Sequence, residues 1–155
     1  MGYTAQMDNR ASSQDAVAAT CEARLSECGI RPTGQRVRIA SLLLCAPQHL
    51  SAEQILANLR SAGARVSKAT VYNTLKLFIE KKLIRELIVD STCVMYDPNP
   101  SPHHHFYDVE SGRLTDIPGD GVRLAAMPEL PPGTVADGVE IIIRTRPAGA
   151  PKAAA

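Results

Sequence analysis

Tryptophan is absent from this 155-residue chain, and aromatic residues make up only 4% of it. So few rings cannot build the stacked platform that grips single-stranded nucleic acid. Long apolar runs are missing too. The longest, Ile39 to Ala46, is interrupted by Ser41 and is far short of the ~20 residues a membrane-spanning helix needs. The opening stretch MGYTAQMDNRASSQD has no apolar centre, which excludes a secretory signal and makes a soluble, cytoplasmic protein the expectation. No C-x-x-C pair occurs among Cys21, Cys28, Cys45 and Cys93, so neither a thiol zinc clip nor a disulfide framework is expected. Cys21 and Cys28, seven apart, would share one helix face, where free cysteines usually serve as small apolar fillers. No internal repeat is visible.

Net charge is also nearly absent, at +1, but its distribution is uneven. Up to Met95 there are 12 basic and 8 acidic residues; from Tyr96 onward there are 5 and 8. A basic half joined to an acidic half suits one module that meets a polyanion and another that does something else. Hydrophobic residues at 45% are enough for a packed core in one domain or two small ones.

Helix signals crowd the first half. Val17, Cys21, Leu25 and Cys28 set a helix over about 14–28, stopped by Gly29. Thr33 can cap a second through about Cys45, with Val37, Ile39, Leu42, Leu43 and Leu44 inward and Pro47 beyond its end. Ser51-Ala-Glu-Gln54 reads as a capping box opening a third, with Ile55, Leu56 and Leu59 inward and a stop near Gly63. Ser67 can cap a fourth, whose buried stripe is Val71, Leu75, Phe78 and Ile79. Two β-rich runs, 83–89 and 92–96, flank a turn at Asp90-Ser91. Short helices followed by a hairpin is the order of a winged helix.

Three prolines in 97–102 exclude both a helix and a central strand, and mark a hinge. Beyond it, 103–109 and 113–117 read as strands, 122–127 as a short helical stretch and 138–146 as a last strand. The expected organisation is α+β. A disordered 1–13 precedes an N-terminal winged helix-turn-helix DNA-binding domain at 14–96. The hinge at 97–102, a small C-terminal α/β dimerisation and sensing domain at 103–146 and a disordered tail at 147–155 follow.

Two constellations carry chemistry. On the fourth helix, Lys68, Tyr72 and Lys76 fall away from the apolar stripe, with Thr70 and Asn73 nearby. Cations can neutralise phosphates while Tyr72 and Asn73 reach base edges, which is the equipment of a recognition helix. Arg36 and Arg38 on the second helix and Arg85 in the wing could add backbone contacts. The competing view is an ordinary amphipathic helix with a solvated face. The second constellation is His103-His104-His105. On a strand, His103 and His105 share a face and His104 takes the other. A pair so spaced can approach one metal, with His49 as a third nitrogen and Asp116 as a carboxylate, a set suited to Fe, Mn or Zn. Imidazole is equally the usual axial ligand of haem iron. The plain alternative is a solvated loop after a proline run.

The stretches RPTGQRVRIASLLL, HLSAEQILANLR, SKATVYNTLKLFIEKKLI and HHH-F-Y-D-V-E-S-G-R-L-T-D-I resemble the ferric uptake regulator (Fur) superfamily of metal-responsive winged-helix repressors. The resemblance covers about Gly29 to Ile117. It implies DNA contacts from Arg36, Lys68, Thr70, Tyr72, Asn73 and Lys76, and a homodimer on double-stranded DNA with an AT-rich inverted repeat. Where the family commonly carries a zinc-binding C-x-x-C, this chain has Asp108 and Ser111. The counterparts of the regulatory metal site are His49, Tyr96, His103, His105 and Asp116, with Tyr96 in place of a glutamate. At a further site only His104 matches, since Pro102 and Arg123 occupy two ligand positions.

Lost zinc cysteines beside a histidine triplet resemble the iron response regulator (Irr) subgroup. That likeness implies a regulator of iron homeostasis and haem biosynthesis genes, with haem bound by His103, His104 and His105 lowering DNA affinity. No Cys-Pro haem motif is present, so direct loss of DNA binding is expected rather than degradation. The rivals are a divalent-metal or peroxide sensor using His49, His103, His105 and Asp116. A small metalloenzyme leaves the helix-turn-helix unexplained, so no enzymatic activity is expected.

Overall fold

A computed structural model describes residues 4–45, 48–118 and 120–149, with side chains placed from Gln14 onward. It divides into two compact units, Met1–Pro100 and Ser101–Ala155.

The first unit is built on four helices: α1 (Thr4–Glu27), α2 (Gly34–Leu44), α3 (Ala52–Ser61) and α4 (Lys68–Glu80). Helix α1 begins well before Gln14, inside the stretch expected to be disordered. Its leading residues carry no regular apolar stripe, which is why periodicity missed them, but Ala, Gln, Met and Arg favour helix intrinsically. Thr33, Ser51 and Ser67 each accept from a backbone amide at the start of their helices. Gln54 returns a bond to the Ser51 amide, completing the capping box. The stops share a mechanism: Ile30 donates to Leu25, Ala64 to Leu59 and Leu83 to Phe78 through backbone amides. The left-handed residue before each is Gly29, Gly63 and, at the end of α4, Lys82 with φ 56°.

Leu25, Ile39, Leu43, Ile55, Leu75 and Phe78 are fully buried in one core, and each such side chain stabilises the unit by about 1.5–3 kcal/mol. Ile79 and Leu56, expected inward, are only partly buried at its margin. Strands β1 (Arg85–Ile88) and β2 (Val94–Asp97) pair antiparallel as the wing. Their turn is closed by the Asp90 carboxylate, which accepts from the amides of Thr92 and Cys93. On the other side of β2, Leu50 and Tyr96 exchange backbone hydrogen bonds. The residue Asp97, read as the start of the hinge, is instead the buried last residue of β2.

The second unit is a three-stranded sheet, ordered β4 (Leu114–Ile117), β3 (His104–Asp108), β5 (Ile142–Thr145). Strand β4 runs antiparallel to β3 and β5 parallel to it. The helix expected at 122–127 is not present, and most of the chain from 120 to 140 is exposed and irregular. Six residues between a glycine and Pro128 cannot recover the cost of helix nucleation without a surface to pack on. The last strand is shorter than 138–146. No helix among the described residues is long and apolar enough to cross a membrane. Of the tail expected at 147–155, residues 150–155 lie outside the described residues.

Candidate metal centre and nucleic-acid interface

Strand register assembles the histidine site of the second unit. Antiparallel pairing sets His105 opposite Asp116, and strand alternation turns His103 to the same face as His105. Nδ1 of His103 lies 2.8 Å from the Ser101 carbonyl. A carbonyl only accepts, so Nδ1 carries a hydrogen, and it is Nε2 that a neutral ring leaves with the lone pair. This backbone anchor is the support that metal-ligating histidines usually have. Nε2 of His103 and Nε2 of His105 then lie 3.3 and 3.6 Å from one oxygen, Oδ1 of Asp116. Glu140 Oε1 approaches His105 Nδ1 at 4.0 Å. His105 is fully buried and His103 nearly so.

Those separations discriminate between two chemistries. A charge-assisted imidazolium–carboxylate bond closes to about 2.8 Å. Two donors sharing a tetrahedral ion at bonds of about 2.1 Å stand about 3.4 Å apart. The observed spacings match co-ligation better than a direct bond. Two imidazole nitrogens and a carboxylate oxygen suit Zn, Fe or Mn.

His49 belongs to the first unit. Its Nε2 lies 3.5 Å from Oδ1 of Asp97, and both side chains are buried. Oδ2 of Asp97 accepts from Arg85 Nε at 2.7 Å, and Oδ1 accepts from the Asn99 amide at 2.8 Å. The structure thus gathers His103, His105 and Asp116 in one unit and sets His49 beside Asp97 in the other. Sequence reasoning missed Asp97 and Glu140. The strand register pairs Arg85 with Asp97, a salt-bridge signal visible only once the wing is aligned. Arg85, expected to add a DNA backbone contact, donates through Nε to Asp97. Tyr96 is buried, and burial followed by the charges of Glu86 and Glu53 pushes its phenol up.

His104 faces away from the pair, and its Nδ1 accepts from the Ile141 amide at 3.3 Å, tying β5 to β3. At the expected position of a C-x-x-C clip, Ser111 Oγ donates to Asp108 Oδ2 at 2.6 Å. That bond, with the Glu110 amide, lowers the Asp108 pKa and closes the turn at Gly112, whose φ is 70°. Two side chains of this chain span the turn that cysteines would clip through zinc.

The exposed face of α4 carries Lys68, Tyr72, Asn73 and Lys76. Thr70 and Asn73 line a cleft with Thr33, Gln35 and Arg36 at the start of α2, so Arg36 and two of the expected α4 residues meet at one surface. Arg36 donates to the Arg31 carbonyl. Tyr72 is not free: its hydroxyl donates to Glu53 Oε1 on α3 at 2.6 Å. Lys68 Nζ reaches the same oxygen at 3.7 Å and sits 5.4 Å over the Tyr72 ring. The Glu53 bond pushes the Tyr72 phenol up to about 12 and lowers the Glu53 carboxyl. Sequence reasoning missed Glu53, whose place as the second residue of α3 served only the helix-start reading.

A braced, cation-bearing helix with a wing, followed by a sheet unit holding two imidazoles and a carboxylate, defines a winged-helix protein with a candidate metal centre. The ferric uptake regulator family matches residues 27–126, and the chain belongs to that family, whose members are transcription regulators rather than enzymes. It is 36% identical over 68% of its length to the ferric uptake regulation protein of Synechococcus elongatus, covering 74% of that protein. It is 31% identical over 61% of its length to the peroxide-responsive repressor PerR of Staphylococcus aureus. It spans 64% of that repressor. Among solved structures it resembles a zinc-bound manganese uptake regulator, with TM-score 0.63 and 25% identity. That match covers 83% of this chain and 98% of the other.

Proposed function

We propose that this chain is a cytoplasmic, divalent-metal-responsive transcription regulator that binds double-stranded DNA as a homodimer. The observation that carries the metal reading is the convergence of His103 and His105 Nε2 on one Asp116 oxygen at 3.3 and 3.6 Å. His103, His105 and Asp116 would hold Fe, Mn or Zn, and the ion would supply a positive charge that fixes the ligand side chains. Relatives are described in the same terms, as ferric uptake, peroxide-responsive and zinc-bound manganese uptake regulators.

Arg36, Lys68, Thr70, Tyr72, Asn73 and Lys76 are the residues assigned to DNA. Lys68, Lys76 and Arg36 neutralise phosphates, while Thr70, Tyr72 and Asn73 read base edges or thymine methyls of an AT-rich inverted repeat. One small winged helix buries too little surface for tight selective binding. A second copy supplies the rest, and the sheet supports such pairing: Phe106 and Ile143, opposite each other in register, are both 40% exposed. Metal controls DNA affinity by preferring one arrangement of the chain over another.

Haem is the competing ligand, from the resemblance to the iron response regulator subgroup with its iron homeostasis and haem biosynthesis genes. The geometry favours a bare ion. His103 and His105 converge on one carboxylate oxygen, which gathers both imidazoles about a single small ion, while His104 is turned to the other face and bonded to the Ile141 amide. Titrating metal-stripped protein separately with Mn(II), Zn(II) and haemin tests the choice. Saturable divalent-ion binding lost in His103→Ala/His105→Ala supports the metal reading. Saturable haemin binding with a Soret shift, lost in the same variant, overturns it in favour of haem.

A further inference from the structure

The four thiols are idle in the proposed function, yet two of them meet. Sγ of Cys21, on α1, lies 3.8 Å from Sγ of Cys45, which caps the end of α2. The contact joins residues 24 apart in sequence, so it is a product of α1–α2 packing and not of local spacing. Its two sides differ in access. Cys21 is 1% exposed within the core, whereas Cys45 is exposed. Ser41 Oγ lies 3.6 Å from the Cys21 sulfur and gives that buried atom a polar neighbour.

We propose that Cys21 and Cys45 form an oxidisable dithiol: a hydroperoxide oxidises the exposed Cys45, and the buried Cys21 closes it to a disulfide that staples α1 to the end of α2. In the first step the Cys45 thiolate attacks a peroxide oxygen, the O–O bond breaks, and water or an alcohol leaves with a proton. Cys45 is then a sulfenic acid. In the second step the Cys21 sulfur attacks the Cys45 sulfur, the S–O bond breaks, and hydroxide leaves as water with the Cys21 proton. Two thiols lose two electrons and the peroxide gains them. The sulfurs must close from 3.8 Å to about 2.05 Å, a shift within reach of a side-chain rotation at a helix terminus. Burial and the neighbouring thiol push the Cys45 pKa up, so the pair answers strong oxidant exposure and not traces.

The division of labour follows from access. A lone exposed thiol would proceed to irreversible sulfinic acid under excess peroxide, and a buried resolving thiol in contact forestalls this. The cross-link closes a loop in the winged-helix unit and restricts its unfolded chain, so oxidised protein melts higher than reduced.

The test treats the full chain with hydrogen peroxide, with and without Cys28→Ser/Cys93→Ser to remove the other thiols. The expected result in both is a loss of about two mass units per chain and a single Cys21–Cys45 linked peptide. A rise in melting temperature that dithiothreitol reverses should accompany them. Cys21→Ser should instead leave Cys45 as a sulfenic acid trapped by dimedone. Mapping the wild-type and Cys28→Ser/Cys93→Ser proteins does not depend on that core variant folding. Over-oxidation of Cys45 with Cys21 still reduced, or a Cys45–Cys45 link between chains, overturns the proposal.

Discussion

Replacing Asp97 offers a quantitative check on how the wing is held. Its side chain is 1% exposed, and it takes a 2.7 Å bond from Arg85, which is 23% exposed. A second oxygen takes the Asn99 amide. Removing one member of a fully buried ion pair costs about 3–5 kcal/mol, because the survivor is left charged out of water. Arg85 keeps partial access to solvent, which lowers that figure to about 2–3 kcal/mol. Loss of the Asn99 cap adds about 1 kcal/mol, so Asp97→Ala should cost about 3–4 kcal/mol. Asp97→Asn keeps an acceptor for Asn99 and a neutral one for Arg85, and should cost about half as much. All four helices lie in the first unit, so urea unfolding followed by helical circular dichroism reports on it directly. The ordering Ala worse than Asn, with unchanged m-value, supports the reasoning. Asp97→Ala within about 1 kcal/mol of wild type would refute it, since no buried charge pair is then at stake.

Three further outcomes follow from the interface and the sheet. Glu53→Gln replaces the carboxylate whose hydrogen bond is the chief cause of the raised Tyr72 pKa, and removes its charge, so spectrophotometric titration should show one phenol falling from about 12 toward the ordinary value. The sign is that of a raised acid: the Glu53–Tyr72 contact stabilises the fold fully below the ordinary tyrosine pKa and is lost as pH rises through about 12. Lys68→Ala/Lys76→Ala should weaken duplex binding on any sequence and reduce the logarithmic salt slope of the dimer by about 4, one per phosphate with two lysines on each chain; an unchanged slope would remove both lysines from the interface. His104→Ala should cost about 1 kcal/mol through the lost Ile141 bond while leaving metal affinity intact, as isothermal titration can show. A loss of metal affinity well beyond about a hundredfold in that variant would place His104 among the ligands.

The helices were legible because their signals are local. Thr33, Ser51 and Ser67 cap where they stand in sequence, and Gly29 and Gly63 stop where left-handed backbone is needed. Helix α1 before Gln14 was not legible, because intrinsic propensity without a buried stripe leaves no periodic mark. The stretch 122–127 failed the other way: its composition suits a helix, but it is exposed and has no surface to pack on. In the site, His103, His105 and Asp116 could be grouped because alternation and a short hairpin fix their relation. Asp97 and Glu53 could not. Each acts through a partner on another element, Arg85 or Tyr72, at a separation that sequence spacing does not encode.

If a divalent ion at the histidine–carboxylate site governs DNA binding, as proposed, metal must change duplex affinity through those side chains. The direct measurement is fluorescence anisotropy of a labelled AT-rich inverted-repeat duplex, titrated with metal-stripped protein in the presence and absence of Mn(II), Fe(II) or Zn(II). One of these ions should change duplex affinity at least tenfold, about 1.4 kcal/mol of coupling, and His103→Ala/His105→Ala should abolish the change while binding DNA at the metal-free level. Duplex affinity that no divalent ion alters, or an ion response that survives in the double variant, would contradict it.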